Sequence, residues 1–158
     1  SIFDLGGSGT GFSVSFWIKR NITTYQSILD KQGPTSGGWG WGLNFNQSAG
    51  DGYKFFSYNT SNAGPFTVQT GSNTTTGNWE HVVGTYNISD TKLRIYFNGI
   101  LKDTSGTIGT GTSNSNAFWI GARDSSEWVN GLMTQVRVFP TALSDAQVVE
   151  LYNELPCN

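Results

Sequence analysis

Histidine, cysteine and methionine each occur once in this chain, and charged residues make up only 13% of it. Each shortage removes a class of function. Cys157 stands one residue from the end, cannot staple a core by itself, and reads as an exposed spare thiol. With His81 as the single histidine, a serine or cysteine nucleophile has one candidate base. That residue sits between Glu80 and the apolar pair Val82 and Val83, so it reads as a hydrogen-bonded structural histidine. The four glutamates, Glu80, Glu127, Glu150 and Glu154, stand apart, so the paired carboxylates that flank a bond in polysaccharide hydrolysis are missing and the chain reads as not an enzyme. No Cys/His spacing suits zinc. A net charge of -2 with no Lys/Arg cluster removes the electrostatic footprint of a nucleic-acid binder. No run of about 18 apolar residues is available to enter a membrane, and no basic-then-apolar leader opens the chain. The chain therefore reads as an excised module or mature form.

What the sequence has in quantity is glycine, 21 residues of it, with abundant Ser, Thr and Asn, and an aromatic content of 14%. The first group favours turns and disfavours long helices, while the aromatics supply apolar surface that a disordered linker lacks. Residues 1–158 are the size of one domain. In Phe12-Ser-Val-Ser-Phe-Trp-Ile-Lys19, the residues Phe12, Val14, Phe16 and Ile18 alternate with Ser13, Ser15, Trp17 and Lys19, the period of a strand. Similar runs follow at 26–30, 41–46, 53–58, 66–69, 79–86, 93–98, 117–121 and 132–139, separated by Gly, Asn, Ser and Thr clusters. The Asn98-Gly99 pair between Phe97 and Ile100 signals a type I′ hairpin. One helix is predicted from Asp145 to about Glu154, with Ser144 and Gln147 as a capping box, Leu143 stapled on Val148, and a stripe of Val148, Val149, Leu151 and Tyr152 packing back. The fold class is all-β: a two-sheet antiparallel β-sandwich, or jelly roll, with one short C-terminal helix.

Candidate ligand residues come from aromatics set among small residues. In Gly37-Gly-Trp-Gly-Trp-Gly-Leu43, Trp39 and Trp41 stand two apart, and sugar rings commonly lie against flat aromatic faces while amides and charged groups hold the hydroxyls. Trp41 is also in phase with Leu43 and Phe45, which favours core packing for it over ligand contact, while Trp39, further into the glycine loop, reads either way. The alternation of Tyr53 and Phe55 with Lys54, Phe56 and Tyr58 puts aromatics on both faces of one strand, one of which can line a groove. Gly121-Ala-Arg-Asp-Ser-Ser-Glu-Trp128 gathers Arg123, Asp124, Glu127 and Trp128 in a short loop. Asp124 and Glu127 are candidate calcium ligands there, against the alternative of an ordinary polar turn. Asp30, Asp51 and Asp103 sit beside turn glycines or lysines and read as turn residues. The sequons at Asn21, Asn46, Asn59, Asn73 and Asn87 serve as loop markers.

Taken in order, Phe12-Ser-Val-Ser-Phe-Trp-Ile-Lys19, Ser27-Ile-Leu-Asp-Lys31, Gly77-Asn-Trp-Glu-His-Val-Val-Gly-Thr-Tyr86, Leu93-Arg-Ile-Tyr-Phe-Asn-Gly99, Phe118-Trp-Ile-Gly121 and Gly131-Leu-Met-Thr-Gln-Val-Arg-Val-Phe139 resemble the concanavalin A-like jelly rolls of the laminin G-like type, similar also to pentraxins. The resemblance implies a sandwich of roughly a dozen strands. It also implies an extracellular appendage that binds carbohydrate, protein or matrix. Met133-Thr-Gln-Val-Arg137 departs from an Ile-Asp-Glu-Val-Arg pattern found in many members, losing both acids. Two functions follow as expectations. One is a non-catalytic, lectin-like module, secreted or surface-displayed, that binds a glycan or polysaccharide through Trp39, Trp41, Tyr53, Tyr58, Arg123 and Trp128. The other is a structural or adhesive module that contacts protein at a cell or virion surface.

Overall fold

The computed structural model describes residues 11–32, 39–46, 52–72, 74–124 and 127–156. Cys157, Asp51 and the Asn73 sequon lie outside them. Among the described residues the chain forms β1 (Gly11–Arg20), β2 (Gln26–Asp30), β3 (Trp41–Asn46), β4 (Gly52–Ser57), β5 (Phe66–Gln69), β6 (Glu80–Asn87), β7 (Lys92–Phe97), β8 (Ile100–Thr104), β9 (Trp119–Ile120), β10 (Gly131–Phe139) and α1 (Asp145–Asn153). The first sheet runs β10-β1-β6-β7-β8 and the second β5-β4-β3-β2-β9, every pairing antiparallel. β8 is the element that the period-2 reading did not resolve. It closes the Asn98-Gly99 hairpin, where φ of 50° and 77° gives the left-handed pair that a type I′ turn requires.

Between the sheets, Phe12, Val14, Phe16 and Ile18 of β1 meet Trp41, Leu43 and Phe45 of β3 and Tyr53 and Phe55 of β4. The Trp41 ring is fully buried and touches Phe12 at 4.8 Å and Phe118 at 5.6 Å between centroids. Burial of each such side chain contributes about 2–3 kcal/mol. At one end of the core an ion pair is enclosed. Arg20 and Glu80, with side chains 0% and 3% exposed, stand 3.2 Å apart. Arg20 Nε donates to the Tyr53 hydroxyl at 2.8 Å and that hydroxyl donates to Glu80 Oε2 at 2.5 Å. The guanidinium also lies 3.6 Å from the centroid of the Phe45 ring.

The outer face of the first sheet is covered by the chain's C-terminal segment. The capping box of Ser144 with Gln147 is present, and Val148 is fully buried beside Val83, Tyr96 and Leu143. Val149 departs from the expected stripe and faces solvent. This cover explains why the small polar residues of β1 are buried: Ser13 Oγ donates to the Thr141 carbonyl and accepts from the Leu143 amide, and Ser15 Oγ pairs with His81 Nε2 at 2.9 Å. The rings of Trp17, His81 and Tyr152 form a triangle, with centroids 5.0 Å (Trp17–His81), 5.6 Å (Trp17–Tyr152) and 6.0 Å (His81–Tyr152) apart. Burial holds the His81 imidazole down at about 4, helped by Arg137 and opposed by Glu154. His81 is thus a structural histidine of this interface.

Candidate functional site

Among the described residues no helix covers the outer face of the second sheet, and strand register defines what it presents. Asn44 of β3 pairs with Ser27 of β2 on one side and Lys54 of β4 on the other, and Lys54 pairs with Gln69 of β5. The neighbouring row runs Trp119, Asp30, Gly42, Phe56 and Thr67 across β9, β2, β3, β4 and β5. Register partners stand side by side on one face, so these two rows form a polar strip beside an aromatic one. Gly42 is required in the second row: a Cβ there would stand 2.5 Å from Phe56 Cζ and 3.1 Å from Asp30 Oδ2. Its absence lets the Phe56 ring and the Asp30 carboxylate settle over the sheet.

Asp30 reaches this face because of a bulge. The register of β2 shifts between Ser27 and Leu29, so Ile28 and Leu29 both enter the core and Asp30 turns outward. Without the extra residue the alternation that points Gln26 and Ile28 inward would have carried Asp30 inward too.

Above these rows lies a groove of about 260 Å³ lined by Tyr25, Gln32, Asn44, Lys54, Phe56, Tyr58, Pro65, Thr67 and Arg123. Tyr25 is 38% exposed, and its hydroxyl accepts from Asn44 Nδ2 at 3.2 Å. The amide oxygen Asn44 Oδ1 has no hydrogen-bond partner, a state that costs about 1–3 kcal/mol when the atom is buried. The Asp30 side chain is 3% exposed. Its Oδ1 accepts from the Gln32 amide at 2.8 Å, and its Oδ2 stands 4.0 Å from Arg123 Nε. Arg123 Nη1 is likewise 4.0 Å from a Glu127 carboxylate oxygen. Burial raises the Asp30 carboxyl to about 6; the Gln32 N–H and Arg123 pull it down and Glu127 pushes it up. Burial also raises the Tyr25 phenol, with Glu127 next in weight. At neutral pH a mostly ionised, nearly enclosed carboxylate therefore lies beside the groove-lining Gln32 and Arg123 without itself lining the groove.

Of the residues picked from sequence, Tyr58 and Arg123 line this groove. Trp39 adjoins it, its half-buried ring 4.5 Å from that of Tyr58. Trp128 is 61% exposed on the loop that carries Arg123 and Glu127. Trp41 and Tyr53 are corrected: both are fully buried between the sheets, Trp41 as an aromatic core residue and Tyr53 as a partner of Arg20 and Glu80, and neither offers surface to a ligand. In β4 the groove-facing set is Lys54 and Phe56, continued by Tyr58. Asp124 sits exposed with a left-handed φ of 41°, and Glu127 is turned toward Arg123. Among the described residues no group of three His, Cys, Asp or Glu side chains converges. In that loop the charged contact is between Glu127 and Arg123, and Asp124 is not brought against Glu127 by any contact among the described residues.

Sequence reading missed Asp30, Asn44, Phe56 and Tyr25 as site residues. Asp30 was expected to be a turn residue and is instead the last residue of β2, facing the groove floor. A larger hollow of about 440 Å³ lies against the first sheet beside Arg94, Tyr96 and Asp145. Its polar groups satisfy one another: Arg94 pairs with Asp90, and the Tyr96 hydroxyl donates to Asp145. It offers no exposed ring.

A profile of the concanavalin A-like lectin/glucanases superfamily, laminin G type, matches residues 3–149. No curated protein sequence matches the chain. Three solved structures share its fold. One is a candidate carbohydrate binding protein from Bacteroides ovatus, 22% identical with a TM-score of 0.72, covering 94% of this chain and 42% of that one. Another is domain 4 of an extracellular arabinanase from Geobacillus stearothermophilus in complex with arabinotriose, 22% identical with a TM-score of 0.67, covering 92% of this chain and 68% of that one. The third is the carbohydrate-binding module of a Ruminococcus gnavus sialidase bound to α2,3-sialyllactose, 15% identical with a TM-score of 0.73, covering 95% and 91%. This chain thus spans less than half the length of the first of these structures.

Proposed function

The chain belongs to the concanavalin A-like lectin/glucanases superfamily, and from that premise we propose that residues 1–158 form a glycan-binding module, non-catalytic and extracellular, that holds its ligand in the groove on the outer face of the second sheet. The observation that carries the reading is the groove itself. Three aromatic rings, Tyr25, Phe56 and Tyr58, stand around amides and cations that can address hydroxyls, the mixture suited to a sugar. The arabinanase domain and the sialidase module, each solved with a sugar bound, share the fold and support the class of ligand. The arabinanase whose domain shares the fold is an extracellular enzyme, which supports the location.

The non-catalytic part rests on the arrangement of acids. Glycoside hydrolysis needs one protonated and one ionised carboxyl on either side of the scissile bond. Here Asp30 and Glu127 attend the same guanidinium, and Asp30 is sunk to 3% exposure beneath the groove floor.

Titration calorimetry against arabinan, xylan, galactan, mannan and cellulose oligosaccharides, with and without calcium, tests the reading. Binding tighter than about 1 mM, near -4 kcal/mol, that weakens on Tyr58→Ala and Phe56→Ala is expected, with no release of reducing sugar. No binding to any glycan ends it. The calcium arm tests the Asp124 and Glu127 loop separately: affinity or melting temperature raised by calcium and lowered by chelator supports a cation there.

A further inference from the structure

We infer that Lys54 takes an acidic substituent of the ligand, and that the ligand is for this reason an anionic glycan. The inference rests on the glycan reading above and goes on to name the sugar class and the residue that selects it. The groove is lined by two cations, Lys54 and Arg123, and by no carboxylate. Arg123 already stands 4.0 Å from both Asp30 and Glu127, so its charge is met within the fold. Lys54 differs. Its ammonium makes no ion pair and no side-chain hydrogen bond among the described residues, although the residue is half-buried. An ammonium carries three N–H donors and no acceptor, so the partner it lacks is a lone pair, and an anionic oxygen gives the shorter and stronger bond.

The position of Lys54 in the sheet gives that charge a direction. Lysines without partners commonly guard the open edge of a sheet, but β4 is an inner strand, between β3 and β5. The acids stand on the far side: Asp30 ends β2 and Glu127 follows β9, whereas Lys54 is two strands away from Asp30, roughly 10 Å between backbones. The charges that act on Asp30 are those of Arg123 and Glu127, and Lys54 is not among them. The groove thus has a compensated end towards β2 and a cationic end on β4 and β5. At the cationic end Phe56 follows Lys54 on the same face of β4, about 7 Å along the strand. Thr67, paired with Phe56 and diagonal to Lys54, adds a hydroxyl donor from β5. A sugar ring lying beside Phe56 therefore brings an exocyclic carboxylate or sulfate to Lys54 Nζ and the Thr67 hydroxyl. A neutral hydroxymethyl group in that place forgoes the charge-assisted bond.

The test is calorimetry at neutral pH, in chelator to keep divalent cations out, with three trisaccharides of one linkage that differ only at C6: galactotriose, its O6-sulfated form and the trimer of galacturonic acid. The proteins are the wild type, Lys54→Gln and Lys54→Met. At least one acidic trimer is expected to bind the wild type about tenfold tighter than galactotriose at about 0.05 M NaCl, with the preference shrinking at about 0.5 M. Which acidic trimer it is tells a uronate from a sulfated sugar. Lys54→Gln, folded by its melting curve, is expected to lose the preference and to bind galactotriose as the wild type does. Lys54→Met, which keeps the apolar stem, gives the same readout if the glutamine variant does not fold. Binding of galactotriose, or of a neutral sugar from the panel above, that equals or exceeds binding of both acidic trimers overturns the inference and leaves the glycan module standing. So does a preference that survives the substitutions or is indifferent to salt. No binding by any of the three sugars, nor by the wider panel, overturns both.

Discussion

Replacing Asp30 with asparagine is expected to stabilise the protein at neutral pH, and the size of the gain follows from the burial of its carboxyl. Burial raises this group from an ordinary 3.8 to about 6. At about 1.4 kcal/mol per pH unit that difference comes to about 3 kcal/mol. The sign is fixed by proton counting. Between 3.8 and about 6 the folded state holds a proton on Asp30 that the unfolded chain has released, so stability falls as pH rises through this window. Above it the folded protein carries the full cost of an ionised, nearly enclosed carboxylate. Asparagine keeps the shape and the acceptor for the Gln32 amide without the charge, and so removes that cost. For a domain of this length the gain is expected to raise the melting temperature by about 6–12 °C at pH 7.5 and to vanish near pH 4, where the wild-type Asp30 is itself protonated. Differential scanning calorimetry of both proteins from pH 4 to 8 measures it. A variant that melts lower than the wild type at pH 7.5, or one whose advantage is the same at every pH, refutes the reasoning.

The buried pair at the other end of the sandwich gives the opposite result. Glu80→Gln, which leaves the enclosed Arg20 guanidinium without its counter-charge, is expected to cost about 3–5 kcal/mol, read by urea denaturation. His81 is held at about 4 against an ordinary 6.5, so the unfolded chain takes up its proton first and stability is expected to be lost as pH falls through 6.5 towards 4. The Asp30 and His81 effects have opposite signs over much of that range, and in the wild type they largely offset. Asp30→Asn is therefore expected to be more acid-sensitive than the wild type, and a flat stability profile of this variant between pH 4 and 7 would refute the assignment. Trp41→Ala is expected to unfold the core with a cost of about 3–5 kcal/mol, while Trp128→Ala, at an exposed position, leaves the melting temperature unchanged.

Alternation and turn chemistry carried most of the fold. Phe12, Val14, Phe16 and Ile18 point inward as their spacing predicts, and the Asn98-Gly99 turn and the Ser144 capping box form as read. The site was less legible, because period-2 reasoning assigns faces only while the period holds. The bulge at Ile28 inverts the parity of β2, so the residue that looked like a turn acid became a buried carboxylate on the outer side of the second sheet. In β4 the parity held, but nothing in a strand with aromatics on both faces says which face meets the first sheet. Tyr53 went to the core and Phe56 to the groove. Trp41 shows the same ambiguity resolved towards packing.

That the groove proposed for the ligand lies on the second sheet follows from the C-terminal segment. Both sheets of a sandwich have an outer face, and a sandwich with two open faces would give a sugar two candidate platforms. Here Val148 and Leu143 bury against Val83 and Tyr96, and Tyr152 stacks on Trp17, so the outer face of the first sheet is consumed by the chain itself. The residues of that face reflect it: Ser13 and Ser15 are small and hydrogen-bonded inward, and His81 is held neutral. The corresponding positions of the second sheet are Asn44, Lys54, Phe56 and Asp30, larger groups whose polar atoms are left partly unpaired by the fold. Asn44 Oδ1 is a buried acceptor that meets no donor among the described residues, whereas the corresponding polar atoms of the first sheet's outer face, Ser13 Oγ and Ser15 Oγ, are paired within the fold.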